Sequence, residues 1–191
     1  MSQITRELVV AAALDLLDEV GLDQVSTRVL AQRLGIKQPS LYWHFHNKDE
    51  LLAAMAAAAM APHARFGLPN RSDDWRQWFM DNYLSFRQTL LLRRDGARLH
   101  AGSRPVGEGL ERTTAKVDFL VGCGLSRRLV EMAMLAASRF TVGSVLEQQA
   151  EQTTPPTSQR PGSEIDHDEA FRAGIGLIVA GLAQENDHIK R

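Results

Sequence analysis

The sequence has little of what marks secreted and membrane proteins. It contains one cysteine, Cys123, which excludes an internal disulfide and fits a reducing compartment. No apolar run approaches the roughly 18 residues that a membrane span needs. Arg6 and Glu7 also stand where a signal peptide would be apolar. We therefore expect a cytoplasmic protein.

The net charge is also close to zero, but the charged residues are unevenly distributed along the chain. The 191 residues carry 22 Lys and Arg against 23 Asp and Glu, so the net charge of -1 does not indicate a polyanion partner. Residues 26–48 nevertheless contain no acid and four strong bases, which are Arg28, Arg33, Lys37 and Lys48. Such a window is typical of a phosphate-facing surface, although a solvated helix face without acids explains the charge equally well.

The apolar residues recur at helical spacing from the start of the chain. The pattern predicts a first helix over about 5–20, followed by Gly21, and a second from Ser26 or Thr27 to Leu34. A short third helix is expected from Gln38 through Phe45, and a fourth over about 48–61 that Pro62 stops. Three helices with glycine turns within 46 residues indicate a helix-turn-helix, whose last helix docks in the major groove.

Further helices are predicted over about 75–92, 113–121, 126–149 and 169–187. In the helix over 126–149, one face is lined by Leu129, Met132, Ala133, Ala136 and Phe140. In the last helix, the residues expected to be buried are Phe171, Ile175, Ile178 and Leu182. Leu177 and Gly181 widen the apolar arc of the last helix, as expected for a helix with two neighbours or at a dimer interface. Residues 66–74 read as a loop and 150–168 as a mobile proline-rich loop. Because no stretch alternates with period two, we expect an all-α fold.

The residues 27–52, TRVLAQRLGIKQPSLYWHFHNKDELL, closely resemble the DNA-binding head of the tetracycline repressor (TetR) family. SFRQTLLLRRDGARLHAGSRP (85–105) and RFTVGSVLEQQ (139–149) resemble parts of its ligand-binding core. The resemblance implies a homodimeric repressor with a helix-turn-helix domain over 1–46 and an effector-binding and dimerisation domain over 47–191. Each head would occupy half of a palindromic operator until a small molecule releases it.

The resemblance also implies DNA contacts. Arg28 would read a guanine and Gln38 an adenine, and both pairings make chemical sense because each side chain can form two hydrogen bonds to that base. Pro39 and Tyr42 would offer apolar contact, for example to a thymine methyl group. The phosphates would be positioned by Thr27, Ser40, Trp43, His44 and Lys48. Alternatively, Arg28 and Gln38 are simply solvated, and Tyr42 and Trp43 belong to the core of the head.

For the effector, the resemblance implies a tetracycline–Mg²⁺ chelate of the kind that signals in antibiotic resistance. His100 would ligate the metal, Ser103 would reach it through water, and Glu147 would arrive from the other subunit; oxygen ligands and retained waters suit Mg²⁺. The expected drug contacts are Asn82, Phe86, Arg104, Pro105 and Lys116.

Some positions depart from that pattern. Gapless matching places Ala64 where the drug-binding histidine belongs, and His63 is then expected to point elsewhere. Lys116 stands where a glutamine is usual, Glu131 replaces an apolar lining residue, and the segment 150–168 is short. Two effectors therefore remain open: the chelate, or a different, metal-independent compound. In the second case His100 and Glu147 would be a polar pair satisfied in the core.

Other function classes find little support. Cys123 lies between two glycines, and the six scattered histidines form no triad or metal-ligand spacing, so we predict that the chain is not an enzyme. A small architectural DNA-binding protein would not need the roughly 140 residues beyond the head.

Overall fold

The computed structural model describes residues 4–101, 103, 107–153 and 166–189; the side chains of Thr153 and residues 187–189 are not described. The described residues form α-helices and one 3-10 turn, without a strand, which confirms the all-α prediction. The chain divides into two compact units, the first comprising Met1–Pro62 and Thr89–Ser103 and the second comprising His63–Gln88 and Arg104–Arg191.

The helices of the first unit are α1 (Arg6–Val20), α2 (Thr27–Leu34), α3 (Gln38–Leu41), α4 (Lys48–Ala59) and α7 (Gly96–His100). The second unit holds α8 (Glu108–Gly122), α9 (Arg127–Thr153) and α10 (His167–Ile189). Two helices cross the boundary along the chain, α5 (Ala61–Ala64) and α6 (Trp75–Leu91).

The ends of α1 and α2 follow from local capping. The hydroxyl of Thr5 accepts a 3.3 Å hydrogen bond from the Leu8 amide, and Ser26 does the same for Val29 at the start of α2. Gly21 ends α1 with φ of 80°, and Gly35 ends α2 in the left-handed region. The apolar residues of α1 at helical spacing lie in the core of the first unit: Val9, Ala13, Leu16 and Leu17 are buried and Ala12 is half-buried, whereas Val20 is 36% exposed.

Helix α3 is shorter than predicted. It ends at Leu41 instead of continuing through Phe45, because the amides of His44 and Phe45 both donate to the Leu41 carbonyl and close a turn. This turn places Phe45, which is 3% exposed, in the core of the first unit. Pro39 lies in the first turn of α3, where its missing N–H costs nothing.

Helix α4 begins as predicted, since Oδ1 of Asn47 accepts a 2.8 Å hydrogen bond from the Glu50 amide. Its predicted end was wrong. The helix stops at Ala59, and Pro62 lies within the next short helix instead of stopping α4. Because α4 packs against α1 and α7, the first unit extends beyond residue 46. The functional boundary between residues 46 and 47 stays a prediction.

In the second unit α9 packs against α8 and α10. The buried residues of α9 are Val130, Ala137, Thr141 and Val145, whereas Met132 on the apolar face noted in the sequence is 54% exposed in the single chain. Phe140 does pack, with its ring centroid 5.5 Å from that of Phe171. By length and composition alone Arg127–Gln152 could also cross a membrane, a test that core helices of folded domains pass as well.

The last helix buries Phe171, Ile175 and Leu182 as predicted, with Ile178 half-buried, and leaves Leu177 75% exposed. The predicted loop 150–168 was wrong at both ends, because residues 150–153 continue α9 and 167–168 belong to α10. Residues 154–165 lie outside the described part of the chain. Helix α8 begins at Glu108, before the predicted residue 113, while 66–74 is free of helix as expected.

Candidate DNA-binding head and effector site

The polar groups of α3 lie beside the start of α2. Nε2 of Gln38 donates a 3.0 Å hydrogen bond to Oγ1 of Thr27. The neighbouring Pro39 and Ser40 are exposed, as is Arg28 on α2. The structure therefore holds the Gln38 amide at Thr27 and leaves the guanidinium of the next residue, Arg28, open to solvent.

The turn after α3 presents its aromatic side chains to solvent. Trp43 is 88% exposed and Tyr42 is 46% exposed, whereas Leu41 and Phe45 fill the core. The alternative that Tyr42 and Trp43 form the core of the head was therefore wrong. Indole and phenol rings exposed in this way are able to contact a nucleic-acid surface.

An arginine that sequence reasoning missed holds this turn. The guanidinium of Arg6 donates to the carbonyl of His44 and, at 2.9 Å, to Oε1 of Glu50, and it lies 4.1 Å over the ring of Phe45. Oε2 of Glu50 accepts a 2.9 Å hydrogen bond from the His46 amide. This amide, and secondly Arg6, lower the pKa of Glu50. The arrangement fixes the backbone between Trp43 and Lys48.

Not every base in residues 26–48 is free to contact a phosphate group. Arg33 forms a two-bonded ion pair with Glu19 of α1, with N–O distances of 2.6 and 2.8 Å. Arg28, Lys37 and Lys48 are exposed and form no ion pair within the described residues. The charge that can face phosphate is thus concentrated around α3 and the start of α4.

In the first unit His100 ends α7, and its Nδ1 lies 3.3 Å from Oγ of Ser103. Burial lowers the pKa of His100. Because the neutral imidazole has a lone pair to donate, this environment favours the form that can ligate a metal. Arg104 and Pro105 lie outside the described residues.

Helix α7 is tied to the end of α1. Asp95, at φ of 54°, accepts a 2.8 Å hydrogen bond from the Leu22 amide at Oδ2. Arg98 pairs with Asp23 at 2.7 Å. At Gly96 a Cβ atom would lie 2.0 Å from the carbonyl oxygen of Leu90, so only glycine fits. The helix that carries His100 is therefore fixed to the same core as the head.

In the second unit the expected contacts Asn82 and Lys116 are in direct contact. Nζ of Lys116 donates a 2.7 Å hydrogen bond to Oδ1 of Asn82 and lies 3.3 Å from Nε2 of His63. Nδ1 of His63 is 3.1 Å from Oγ of Ser85, and its ring lies 5.5 Å from that of Phe86.

The expectation that His63 points away from these residues was therefore wrong. Because α4 ends at Ala59 and α5 starts a new helical phase at Ala61, residue 63 is brought to Asn82 and Phe86. A gapless comparison with the family pattern treats residues 48–64 as one continuous helix and therefore could not predict the break between α4 and α5.

Lys116 is buried, with 9% of its surface exposed. Burial, and secondly the charge of Arg112, lowers its pKa from 10.5 to about 8. Within the described residues no carboxylate forms an ion pair with it. The hydrogen-bond partners of this ammonium group among the described residues are thus an amide oxygen and an imidazole nitrogen, without a carboxylate.

The remaining metal-side candidates are separate from that network. Glu147 is exposed on α9, so it is not half of a buried polar pair. Glu131, which the sequence comparison places in the lining of the drug pocket and not at the metal, is exposed in the single chain and lies 3.8 Å from Arg127 of the same helix. Among the residues that the structure describes, no three His, Cys, Asp or Glu side chains gather to hold a metal. A metal here would need ligands from the effector, from water or from a partner.

Comparison with known proteins agrees with this architecture. Residues 9–55 match the family model for bacterial regulatory proteins of the tetR family, and 68–165 match the tetracyclin repressor-like C-terminal domain. The tetracycline repressor protein class C of Escherichia coli is 42% identical over 95% of this chain and 92% of its own length.

Two solved structures extend the comparison. SCO0253, a TetR-family regulator from Streptomyces coelicolor, is 57% identical at a TM-score of 0.75, with 96% of this chain and 97% of that chain covered. TetR class A in complex with 5a,6-anhydrotetracycline and magnesium is 46% identical at a TM-score of 0.80, covering 92% and 96%. These relatives are regulators, which confirms that no enzyme should be expected. The chain belongs to the TetR family of ligand-responsive transcriptional repressors.

Proposed function

We propose that this repressor binds a palindromic operator as a homodimer in the cytoplasm and that a tetracycline–Mg²⁺ chelate releases it. The observation that carries the DNA-binding half is the hydrogen bond that holds Gln38 of α3 to Thr27 of α2, next to the exposed Arg28. Residues 1–46 supply DNA binding, and 47–191 supply effector binding and dimerisation.

On DNA, α3 lies in the major groove. Arg28 reads a guanine and Gln38 an adenine, each through two hydrogen bonds, while Pro39 and Tyr42 meet apolar base edges. The phosphate contacts come from Thr27, Ser40, Trp43, His44 and Lys48. The hydrogen bonds of Arg6 and Glu50 to the backbone of residues 44 and 46 support this role, because they hold the phosphate-facing turn in one conformation.

A palindrome requires two heads related by symmetry. The exposed apolar side chains of α9 and α10 support a dimer, since Met132, Leu135 and Leu177 are 54%, 42% and 75% exposed. Large exposed leucines on neighbouring helices are costly in a monomer and typical of a helical interface.

The side chains at the end of α7 have the chemistry that a magnesium chelate needs. Burial lowers the pKa of His100, which favours the neutral imidazole, and the hydroxyl of Ser103 lies beside it. Mg²⁺ retains waters and prefers oxygen, so the drug, water and the exposed Glu147 of a second subunit would complete the shell. Asn82, Phe86, Arg104, Pro105 and Lys116 would contact the drug. The magnesium complex of the class A relative supports this assignment.

Release then follows from the attachment of α7. Helix α7 carries His100, is bonded to the end of α1 through Asp95 and Leu22, and packs against α4. A shift of α7 when His100 is engaged would therefore be transmitted to α1 and α4, and with them to α3. The coupling free energy needed for a hundredfold loss of operator affinity is about 2.7 kcal/mol.

A second candidate is the same repressor with a metal-independent effector. The hydrogen bonds that join Lys116 to Asn82 and His63 favour it, because a buried ammonium group suits an anion better than a cationic chelate.

Fluorescence anisotropy of a labelled palindromic duplex, obtained by binding-site selection, tests both candidates. We expect low-salt binding, and release by tetracycline with Mg²⁺ but not by tetracycline with EDTA. His100→Ala should abolish the magnesium dependence, while the exposed Glu131→Gln should not. Release that ignores EDTA would favour the second candidate, and a chain that ignores every duplex would contradict the proposal.

A further inference from the structure

Lys116 has more hydrogen-bond donors than the described residues accept. An ammonium group carries three N–H donors. Two have acceptors within the second unit, Oδ1 of Asn82 at 2.7 Å and Nε2 of His63 at 3.3 Å. Both acceptors are neutral if His63 donates from Nδ1 to Oγ of Ser85, which the 3.1 Å distance permits.

This charge is costly where it lies. Lysines are almost never fully buried unless they are paired with a carboxylate, because removing an ammonium group from water is expensive. A glutamine could donate to Asn82 without that cost, so the hydrogen bonds alone do not account for a lysine. Arg112 adds to the positive charge, since it lies close enough to lower the pKa of Lys116 and is fixed by a 2.8 Å hydrogen bond to the Phe66 carbonyl.

Aromatic rings lie close to the imidazole that contacts the ammonium group. The ring of His63 lies 5.5 Å from Phe86 and stacks at 6.2 Å on Phe66. On α6, Trp78 and Asn82 are one helical turn apart and therefore share a face. On α8 the same holds for Lys116 and Phe119. The two pairs are joined because the ring centroids of Trp78 and Phe119 lie 5.3 Å apart. Nε1 of Trp78 is buried without a hydrogen-bond partner. Aromatic rings, a buried N–H donor without a partner and an ammonium group thus occupy neighbouring positions of the second unit, and this chemistry suits a flat acid.

We propose that Lys116 binds the anionic oxygen of a planar aromatic effector, so that this repressor responds to an aromatic acid. The third N–H of Lys116 donates to that oxygen in a charge-assisted hydrogen bond, while Asn82 and His63 keep the ammonium group in place. The inference rests on the proposed function only in that the chain has an effector. It does not require the effector to be tetracycline or to carry a metal.

The test uses a matched pair of probes, anthraquinone-2-carboxylate and anthraquinone-2-carboxamide, which differ in charge and hardly in shape. Titration calorimetry on the full chain, in EDTA and without DNA, should show the carboxylate binding at least tenfold more tightly than the amide. In Lys116→Gln that preference should fall below twofold, and Lys116→Arg should retain most of it. Lys37→Gln, which removes an exposed lysine of the first unit, should leave it unchanged.

A second measurement determines how many protons the protein takes up when the carboxylate binds. At pH 8.5 the bound carboxylate should raise the protonation of Lys116, so that wild type takes up a proton that Lys116→Gln does not. This is measured by calorimetry in two buffers of different ionisation enthalpy. Far-ultraviolet circular dichroism establishes that the variants fold.

Equal binding of acid and amide to wild type, a tenfold preference that survives in Lys116→Gln, or no binding of either probe would overturn the inference. None of these outcomes bears on operator binding, which the anisotropy experiment measures separately. Conversely, a chain that ignores DNA but prefers the acid would contradict the proposed function alone.

Discussion

Gln38 and Thr27 are joined by a 3.0 Å hydrogen bond from the side-chain amide of the first to the hydroxyl of the second. The bond links the first residue of α3 to the first residue of α2. It occupies one N–H of the amide and leaves the other N–H and Oε1, which are the two groups that pair with N7 and N6 of adenine. Thr27 thus orients the residue that we expect to read a base.

Thr27→Val should therefore relax sequence preference at the adenine that Gln38 reads. Without the hydroxyl the amide can rotate, and we expect discrimination at that base pair to fall about tenfold, within the 1–3 kcal/mol typical of a two-bonded contact. Binding-site selection measures the change. Thr27→Ser keeps the hydroxyl and should retain the preference; an unaltered selection profile for the valine variant would contradict the orienting role.

Arg28→Ala should cost about 1–3 kcal/mol of operator binding and remove the preference for guanine at one position. Lys48→Ala is the matched comparison, because it should weaken binding to every duplex alike and reduce the slope of log K against log salt by about one unit. Anisotropy titrations at several salt concentrations separate the two. If both variants lowered affinity uniformly, Arg28 would be a phosphate contact and not a base contact.

Leu177→Arg should convert the dimer into monomers. The side chain is 75% exposed in the isolated chain, and an arginine there would bury an unpaired charge at the proposed interface of α9 and α10. Sedimentation velocity should show half the mass, and affinity for a full palindrome should fall to that for a half-site. Leu92→Arg alters a leucine that is 64% exposed outside these helices and should leave the mass unchanged. A dimer that persists in the Leu177 variant would place the interface elsewhere.

Short sequence patterns were sufficient to predict the helix ends that depend only on neighbouring residues. The caps of α1 and α2 at Thr5 and Ser26, and the αL turn at Gly35, depend on residues within a few positions of one another. The family was equally predictable, because the motif of residues 27–52 that indicates it is short and continuous.

What the sequence did not predict depends on distant partners. The early end of α3 reflects the burial of Phe45, and the hold on its turn comes from Arg6, 38 residues before His44. The break at Met60 changes the phase of the chain and brings His63 to Lys116 across 53 positions. Helical periodicity within one segment contains no information about either contact.

Stability should depend on pH through Lys116. Its pKa is about 8 in the folded chain and close to 10.5 when unfolded, so between these values the unfolded state binds more protons. The free energy of unfolding of wild type should therefore rise, relative to Lys116→Gln, as the pH increases from about 8 to about 10.5. Below pH 8 the ammonium group is charged in both states and its burial cost is fully present.

The glutamine variant should thus be the more stable protein at pH 7, by up to about 3 kcal/mol at 1.36 kcal/mol for each unit of pKa. That advantage should shrink steadily toward pH 10 as Lys116 loses its proton in the folded chain. Urea unfolding of both proteins at pH 7, 8, 9 and 10 measures the difference, in which the titration of other groups cancels. Parallel curves across this range would show that Lys116 does not titrate in the folded protein, whereas convergence would show that this chain retains the lysine at the expense of stability, as expected for a group that serves binding.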